Sequence, residues 1–158
     1  GSTVCLIDSD LQNRPESVFD LYEVLLREKT DFVRGVRKPV TGQAWSRIVM
    51  SRSLNLLLNL VFGMTSSDNK SGFIIGSREA MLDIVRHRGH YHHFQTFIGL
   101  AAHSKGYQTI EVDTPFDDRR NGISFLSGKS IKVVREVFQD LPAARKEYGS
   151  RLKRRRDK

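Results

Sequence analysis

The sequence predicts an α/β fold, with helices packed on the faces of a β-sheet, and three observations support this prediction. Short apolar runs alternate along the chain with longer segments whose apolar residues recur at helical spacing. Glycine, proline and small polar residues separate many of these segments. Apolar residues make up 39% of the 158 residues, which is enough to bury a core in one domain or in a large part of one.

The first predicted strand covers residues 4–7 and ends at two carboxylates and an amide. Its four consecutive apolar residues are typical of a strand buried on both faces of a parallel sheet. Asp8, Asp10 and Gln12 follow at every second position, so an extended segment places their side chains on one side. These oxygen ligands suit Mg2+ or Mn2+, and ligands collect at the carboxyl edge of such a sheet. A strand-to-helix turn, in which Asp10 or Asn13 caps the next helix, accounts for the same residues without a ligand.

The remaining elements follow from apolar periodicity and from the residues at their ends. Helices are predicted over 15–28, 45–64, 77–87, 94–105, 128–141 and 142–153, and further strands over 31–36, 72–75 and 107–114. Pro15 stands in the first turn of the first helix, Ser77 caps the third, and Gly106 stops the fourth. The second helix is apolar most of the way round. It is therefore either enclosed by protein, the preferred interpretation, or lies with one face in a membrane interface.

The C-terminal part of the chain is predicted to be amphipathic and basic. Ile131, Val134 and Phe138 fall on one helical face flanked by lysine and arginine, a pattern that suits docking or an interfacial position. Residues 151–158 contain six basic residues and one acidic residue, and so carry five of the eight units of the net charge of +8. We expect this tail either to attract anionic lipid headgroups or to be a solvated, disordered terminus. Nucleic-acid binding is not expected, because no aromatic platform or recognition-helix pattern accompanies the basic residues.

Cysteine usage and hydropathy narrow the class of protein further. The single cysteine, Cys5, permits no intramolecular disulfide bond, which fits a reducing compartment. No apolar run approaches the roughly 18 residues that a membrane-spanning helix needs. Any contact with a membrane is therefore expected to be peripheral.

Four histidines, His87, His90, His92 and His93, form a second conspicuous cluster. A zinc site is disfavoured there, because no cysteine lies nearby and a glycine-containing connector does not hold side chains in ligand geometry. The preferred interpretation is a polar loop followed by the start of a helix.

Four further segments form an ordered set along the chain. They read Asp-Ser-Asp-Leu-Gln-Asn-Arg-Pro-Glu at 8–16, Phe-Val-Arg-Gly-Val-Arg at 32–37, Asp-Asn-Lys-Ser-Gly-Phe at 68–73 and Arg-Arg-Asn-Gly-Ile-Ser at 119–124. In sequence and in order they resemble the motifs of polyprenyl-phosphate glycosyltransferases, the dolichol-phosphate mannosyltransferase-like group of glycosyltransferase family 2. The resemblance spans residues 4–124 and leaves 125–158 unaligned.

The resemblance implies a particular fold and division of the chain. The fold would be the back half of a GT-A (Rossmann-like) glycosyltransferase domain, a mixed sheet flanked by helices, with amphipathic helices at the C-terminus. Residues 1–126 would form this C-terminal part of the domain, and residues 127–158 the amphipathic helical and basic tail. Gly1 and Ser2 resemble residues left by tag removal. The family's N-terminal, nucleotide-binding half would be needed in cis or as a second chain.

The resemblance also implies an activity. We expect a metal-dependent, inverting transfer of a sugar from a nucleotide-sugar donor to a polyprenyl phosphate. The transfer would take place at the cytoplasmic, inner face of a membrane, which the basic C-terminus would contact peripherally. The phosphate of the acceptor is already ionised, so no strong general base is needed. Mg2+ or Mn2+ held by Asp8, Asp10 and Gln12 would stabilise the diphosphate leaving group.

The family's catalytic and donor-binding roles map onto matching positions of this sequence. The expected catalytic residues are Asp10, Asp68 and Arg119. Asp8, Asp68 and Ser71 are expected to bind the donor.

The acceptor phosphate is expected to meet a cage of arginine and serine side chains, because the planar guanidinium group is suited to gripping phosphate. Its members would be Arg37, Arg47, Ser51, Arg119 and Ser124. In the related enzymes a glutamine near the active site follows the histidine-rich connector, so Tyr91 and Gln95 are candidates for shaping the sugar pocket.

Two other functions stay open at the level of sequence. Phe125 stands where many relatives have lysine, and no anchoring helix is recognisable, which leaves a family 2 transferase acting on a glycan or other hydroxyl acceptor. That reaction needs a general base, for which Asp68 is the candidate. The other alternative is a noncatalytic basic interaction module that keeps only the fold.

Overall fold

A mixed four-stranded sheet lies between helices in the computed structural model, which describes residues 1–10, 12–37, 45–86, 89–117 and 130–156. The strands are β1 (Thr3–Leu6), β2 (Phe32–Arg37), β3 (Ile74–Ser77) and β4 (Thr109–Thr114). The helices are α1 (Ser17–Glu28), α2 (Trp45–Phe62), α3 (Arg78–Val85), α4 (Phe94–Lys105) and α5 (Ser130–Arg156). The expected α/β class, a mixed sheet flanked by helices, is confirmed, and the arrangement is consistent with part of a GT-A domain.

The order of strands in the sheet is β1-β3-β2-β4. β3 runs antiparallel to both β1 and β2, whereas β2 and β4 are parallel. The carboxyl ends of β1, β2 and β4 therefore lie at the same edge of the sheet as the amino end of β3. The segments that carry the predicted site residues leave or enter the sheet at this edge.

The first strand differs from the prediction in its environment. Thr3 to Leu6 are half-buried, and Ile7 beyond them is 40% exposed. The expectation of a strand buried on both faces of a parallel sheet is wrong for the described residues, because β1 pairs antiparallel to β3. An apolar run without alternation does not distinguish a central strand from a half-covered one.

Two apolar clusters cover the two faces of the sheet. On one face, Leu21 and Leu25 of α1 pack against Val33, Phe73 and Ile75. On the other face, a larger cluster draws residues from all the other helices. It includes Phe32, Leu58, Ile74, Ile84, Phe97, Val137 and Tyr148. Helices thus pack on both faces of the sheet and fix its position.

α2 places apolar residues on two opposite faces. Leu54, Leu58 and Phe62, spaced four residues apart, are buried in the larger cluster. Trp45 and Leu60 are each 73% exposed, and Val49 and Leu56 are exposed on the same side. Burial in protein therefore accounts for one face only. No helix within the described residues is long and apolar enough to cross a bilayer.

The ends of several helices follow their expected caps. The hydroxyl of Ser77 accepts a hydrogen bond from the backbone N–H of Ala80 at 3.2 Å, as expected of the α3 cap. Gly106 follows α4 with a φ of 90°, a left-handed conformation that favours glycine. α1 begins at Ser17, two residues after Pro15, and shows no side-chain cap from Asp10 or Asn13.

The C-terminal helix is one element where two were expected. α5 continues through Pro142, although proline in a helix interior removes a hydrogen bond and costs about 3 kcal/mol. Val137 lies before the proline, and Ala144 and Tyr148 after it, and all three are buried. Their packing on the core holds both parts in one helix. The buried face is also rotated from the predicted one, since Phe138 is 50% exposed.

A charged side chain lies inside the larger apolar cluster. Arg34 is 2% exposed, and its guanidinium donates to the hydroxyl of Ser66 and lies 3.9 Å from Glu111. Burial lowers the pKa of Arg34, although the charges of Glu111 and Asp68 oppose this shift. A Cβ at Gly99 would stand 2.1 Å from a terminal nitrogen of Arg34, so only glycine lets α4 approach it.

Candidate active site

Side chains from four segments meet near the carboxyl edge of β1, β2 and β4. Asp8 follows β1, and Arg37 is the last residue of β2. Asp68 and Ser71 precede β3, and Phe116 follows β4. The edge is where a sheet of this topology exposes ligand-binding side chains.

Asp8 is held by a side chain from the start of α4. The amide nitrogen of Gln95 donates to a carboxylate oxygen of Asp8 at 2.9 Å. Gly72 lies beside this pair, because a Cβ there would be 3.1 Å from the Gln95 amide nitrogen and 3.4 Å from the same Asp8 oxygen. Gln95 thus lies beside Asp8, while its expected part in shaping the sugar pocket stays a prediction.

The segment after Asp8 is attached to the chain beyond β4. Asn13 forms an antiparallel bridge with Phe116, and Gln12 exchanges backbone and side-chain hydrogen bonds with Asp117 at 2.9 and 3.2 Å. The backbone N–H of Gln12 also approaches a carboxylate oxygen of Asp10 at 3.3 Å. Because the Gln12 amide nitrogen faces a carbonyl, its amide oxygen points away from that carbonyl.

Arg14 reinforces this attachment from the exposed side. Two of its nitrogens donate to the two carboxylate oxygens of Asp117, each at 2.8 Å. The pair is exposed, so its contribution to stability is expected to be small. Its main effect is to fix the side chain of Asp117 next to the backbone that carries Asp10 and Gln12.

Arg37 and Asp68 form a two-pronged ion pair across the edge. The Nε and one terminal nitrogen of Arg37 donate to the two oxygens of Asp68 at 2.6 and 2.9 Å. The guanidinium also lies 5.4 Å from the ring centroid of Phe116. Burial opposes ionisation of Asp68, but hydrogen bonding to Arg37 and the charge of Arg37 outweigh burial. The pKa of Asp68 is therefore lowered.

A lysine joins the same group of charges. The ammonium of Lys70 donates to the hydroxyl of Ser51 on α2, and the Lys70 backbone N–H donates to Asp68 at 3.1 Å. Ser71 is buried, and its hydroxyl donates to the backbone carbonyl of Gly35 at 2.5 Å. The described residues thus bring two cations, Arg37 and Lys70, to the side of the edge that α2 borders.

The segment that carries Asp68 is tied to α2 by three asparagines. Asn55 donates to the carbonyl of Ser66 at 2.8 Å and accepts from the backbone and side-chain nitrogens of Asn69 at 2.8 and 2.9 Å. Asn59 also accepts from Asn69 and donates to Ser66, at 2.9 and 2.8 Å. Since Asn69 is buried, these bonds fix the backbone on which Asp68, Lys70 and Ser71 stand.

Comparison with curated proteins finds sugar transferases that act on polyprenyl phosphates. An undecaprenyl-phosphate 4-deoxy-4-formamido-L-arabinose transferase of Edwardsiella ictaluri is 31% identical over 78% of this chain, and that of Sodalis glossinidius is 31% identical over 87%. A polyprenol monophosphomannose synthase of Mycolicibacterium smegmatis is 26% identical over 83%. Its curated homologues are thus polyprenyl-phosphate glycosyltransferases. No family model matches it.

The match covers only part of each of these glycosyltransferases. The chain spans 36% and 40% of the length of the two arabinose transferases and 51% of the mannose synthase. The relatives are named as transferases of sugars, which supports an enzymatic rather than a purely structural role.

Several residues expected from the glycosyltransferase resemblance cannot be placed. Arg119 and Ser124 lie outside the described residues, as does the side chain of Arg47, whose backbone belongs to α2. Their roles stay predictions. The roles of Asp10, Asp68 and Ser71 stay predictions as well, since a position near the sheet edge does not establish a role.

The carboxylates and the amide after β1 fit a hard divalent cation by their chemistry. Asp8 and Asp10 offer carboxylate oxygens and Gln12 an amide oxygen, the ligand types that Mg2+ and Mn2+ prefer. Among the described residues, no three His, Cys, Asp or Glu side chains form a metal-binding group. A bound ion would therefore need Gln12, water or the donor's phosphates to complete its ligands, as is usual for Mg2+.

Three neighbours of the site were missed by sequence reasoning. Lys70 lies inside the segment 68–73 and could have been noticed as a basic residue two positions after Asp68. No local sequence pattern points to Phe116 and Asp117, because their importance comes from pairing with Asn13 and Gln12, more than 100 residues earlier in the chain. Contacts of that range follow from topology and not from local pattern.

The histidine-rich connector is held by carboxylates of α5. His92 Nδ1 and the His92 backbone N–H both contact Asp140, each at 2.8 Å, and His93 Nε2 contacts Glu136 at 2.8 Å. Tyr91 donates its hydroxyl to Glu147 at 2.7 Å. The preferred interpretation, a polar loop leading into a helix, agrees with these contacts.

Proposed function

We propose that this chain supplies part of a glycosyltransferase that transfers a sugar from a nucleotide-sugar donor to a polyprenyl phosphate with inversion, and that needs Mg2+ or Mn2+. The observation that carries this proposal is that oxygen ligands suited to a divalent ion and cations suited to a phosphate lie at the same edge of the sheet. Asp8, Asp10 and Gln12 provide oxygen ligands on one side, and Arg37 and Lys70 provide cations on the other.

The reaction needs one bond to form and one to break. An ionised oxygen of the polyprenyl phosphate attacks the anomeric carbon, and the bond from that carbon to the nucleoside diphosphate breaks with its electron pair leaving on the diphosphate. No proton is transferred, so no general base is required. A divalent ion at Asp8, Asp10 and Gln12 would supply electrostatic stabilisation of the diphosphate.

The ion pair between Arg37 and Asp68 supports a phosphate acceptor over a hydroxyl acceptor. A hydroxyl acceptor would need Asp68 as a base, yet its pKa is lowered by Arg37, which makes it a weak base. A phosphate acceptor needs oriented cations instead. In the proposed reaction, Asp68 holds the guanidinium of Arg37 in one orientation while its remaining N–H groups face the phosphate.

The exposed face of α2 suits the lipid part of such an acceptor. Ser51, which accepts from Lys70, lies on the same helix as the exposed side chains of Trp45, Leu56 and Leu60. In our proposal this face lies in the membrane interface, so that the lipid chain stays in the bilayer while its phosphate reaches the cations. The basic residues of 151–158 would add attraction to anionic lipids, about 1 kcal/mol each near the surface.

The test is sugar transfer by the protein that contains this chain, with labelled nucleotide sugars, Mn2+ and undecaprenyl phosphate in vesicles. We expect Asp10→Asn to lower kcat by about 100-fold, the usual effect of losing one electrostatic contact to the leaving group. Arg37→Gln should mainly raise KM for the polyprenyl phosphate. Arg27→Gln, on the exposed surface of α1, is the matched control and should change neither. Equal activity of Asp10→Asn and Arg27→Gln would overturn the proposal.

A further inference from the structure

The residues at the start of α4 contact α5 as well as Asp8. His93 is the residue that precedes α4, and its imidazole contacts Glu136 of α5 at 2.8 Å. His92, one residue earlier, contacts Asp140 through both its imidazole and its backbone N–H. Two residues after His93, Gln95 donates to Asp8. Four consecutive residues thus connect α5 with the carboxylate after β1.

The two side chains of the His92–Asp140 contact differ in exposure. The side chain of Asp140 is 3% exposed, whereas that of His92 is 54% exposed. A buried carboxylate is costly unless hydrogen bonds and an opposite charge compensate it, and His92 supplies a donor at any pH but a charge only when protonated. The strength of the contact between Asp140 and His92 therefore depends on the protonation of His92.

We propose that Asp140 and Glu136 of α5 are positioning residues that act through His92 and His93 to hold Gln95 on Asp8, and that this positioning weakens when His92 loses its proton. The role of Asp8 in binding the donor or its metal rests on the proposed function. The coupling between α5 and the Gln95–Asp8 contact stands on the contacts alone.

Charged side chains of α5 lie close to the two histidines. His92 faces Asp140, with Glu136 and Lys132 nearby, and Lys132 lies 3.6 Å from Glu136 on the exposed side of α5. Hydrogen bonding to Asp140, followed by its charge, raises the pKa of His92. Hydrogen bonding to His93 lowers the pKa of Glu136.

The direction of the pH dependence follows from these shifts. A histidine with a raised pKa contributes fully below its unfolded value of about 6.5 and loses that contribution as the pH rises through its folded value. A glutamate with a lowered pKa contributes above its unfolded value of about 4.3 and loses it as the pH falls through its folded value. The contacts of α5 with His92 and His93 are thus strongest between about pH 4.5 and 6.5 and weaken as the pH rises through the folded pKa of His92.

The test follows the side-chain amide signals of Gln95 by NMR in the full chain between pH 5.5 and 8.5. In the unaltered chain these signals should shift with the titration of His92, and protection of the first-turn amides of α4 should fall about two- to fivefold at high pH, the range for partly exposed ion pairs. In Asp140→Asn the signals should be displaced already at pH 5.5 and change little with pH.

Two further variants separate positioning from folding. His92→Gln keeps a donor for Asp140 but carries no charge and cannot titrate, so the Gln95 signals should stay near their high-pH positions throughout. Asp83→Asn removes the partner of Lys105 at the other end of α4 and should leave the pH profile of Gln95 unchanged. An unchanged Gln95 profile in His92→Gln, or a profile altered equally by Asp83→Asn, would overturn the proposal.

The outcome is separable from that of the proposed function. The Gln95 signals are measured without donor, metal or acceptor, so the coupling can be present in a chain that transfers no sugar. Conversely, transfer that requires Asp10 but shows no His92-dependent Gln95 profile would support the proposed function and refute the positioning role.

Discussion

The ion pair between Arg37 and Asp68 permits a quantitative test of how the sheet edge is held together. The perturbation is a double-mutant cycle with Arg37→Met and Asp68→Asn, which remove the charges while keeping side chains of similar size. The cycle isolates the energy of the pair from the other contacts of each residue. One of these contacts, the hydrogen bond from the backbone of Lys70, can persist in the asparagine variant.

The expected magnitude lies between those of exposed and buried pairs. The side chains of Arg37 and Asp68 are 30% and 13% exposed, and two short hydrogen bonds join them. Exposed pairs contribute about 0.2–1 kcal/mol, and breaking buried pairs costs about 3–5 kcal/mol. We therefore expect a coupling energy of about 2 kcal/mol, which changes the unfolding equilibrium by roughly 30-fold.

The assay is urea-induced unfolding of the four proteins at pH 7, followed by circular dichroism. Because the folded pKa of Asp68 is lowered, the coupling should be constant above the unfolded value of about 3.9 and decrease as the pH falls through the folded value. The exposed pair of Arg27 and Glu28 is the control, with an expected coupling below about 0.5 kcal/mol. A coupling for Arg37 and Asp68 no larger than that of the control would refute the reasoning.

Three substitutions test the packing that supports the site, each by urea unfolding. Gly99→Ala should lower the free energy of unfolding by about 1–3 kcal/mol, because its Cβ would overlap the buried guanidinium of Arg34. Adding Arg34→Ala should relieve the overlap. An unchanged stability of Gly99→Ala would contradict this close approach. Ser77→Ala should cost about 1 kcal/mol through loss of the α3 cap, unlike Ser2→Ala at the exposed N-terminus. Leu58→Ala should cost about 2–5 kcal/mol, whereas Leu60→Ala on the exposed face of α2 should cost less than 1.

Local signals predicted those elements whose ends carry distinctive residues. α4 extends over Phe94–Lys105 as predicted, because an apolar helical pattern is stopped by Gly106. The shift of β3 to Ile74–Ser77 and the continuity of α5 through Pro142 were not predicted. In both cases tertiary packing decides: β3 is fixed by its register with β1 and β2, and α5 by the buried residues on either side of the proline.

In the candidate site, too, local sequence patterns indicated single residues but not the contacts between distant parts of the chain. The sequence indicated Arg37 and Asp68 separately, one for the acceptor and one for the donor, but not that they pair with each other. They are 31 residues apart and lie on segments that meet only because β3 is antiparallel to β2. The attachment of Gln12 to Asp117 likewise depends on the placement of β4 in the sheet.

The asparagine contacts of α2 have a mechanical consequence. α2 behaves as a stiff rod of 18 residues, about 27 Å long, with Asn55 about 15 Å from its first residue. If the rod pivots at Trp45, a tilt of about 5° displaces Asn55 by about 1.3 Å. Asn55 transmits that displacement to Asn69, and so to the backbone beside Asp68. A misplacement of about 1 Å can cost 100-fold in rate, so in the proposed reaction we expect a force on the exposed face of α2 to lower the rate of sugar transfer.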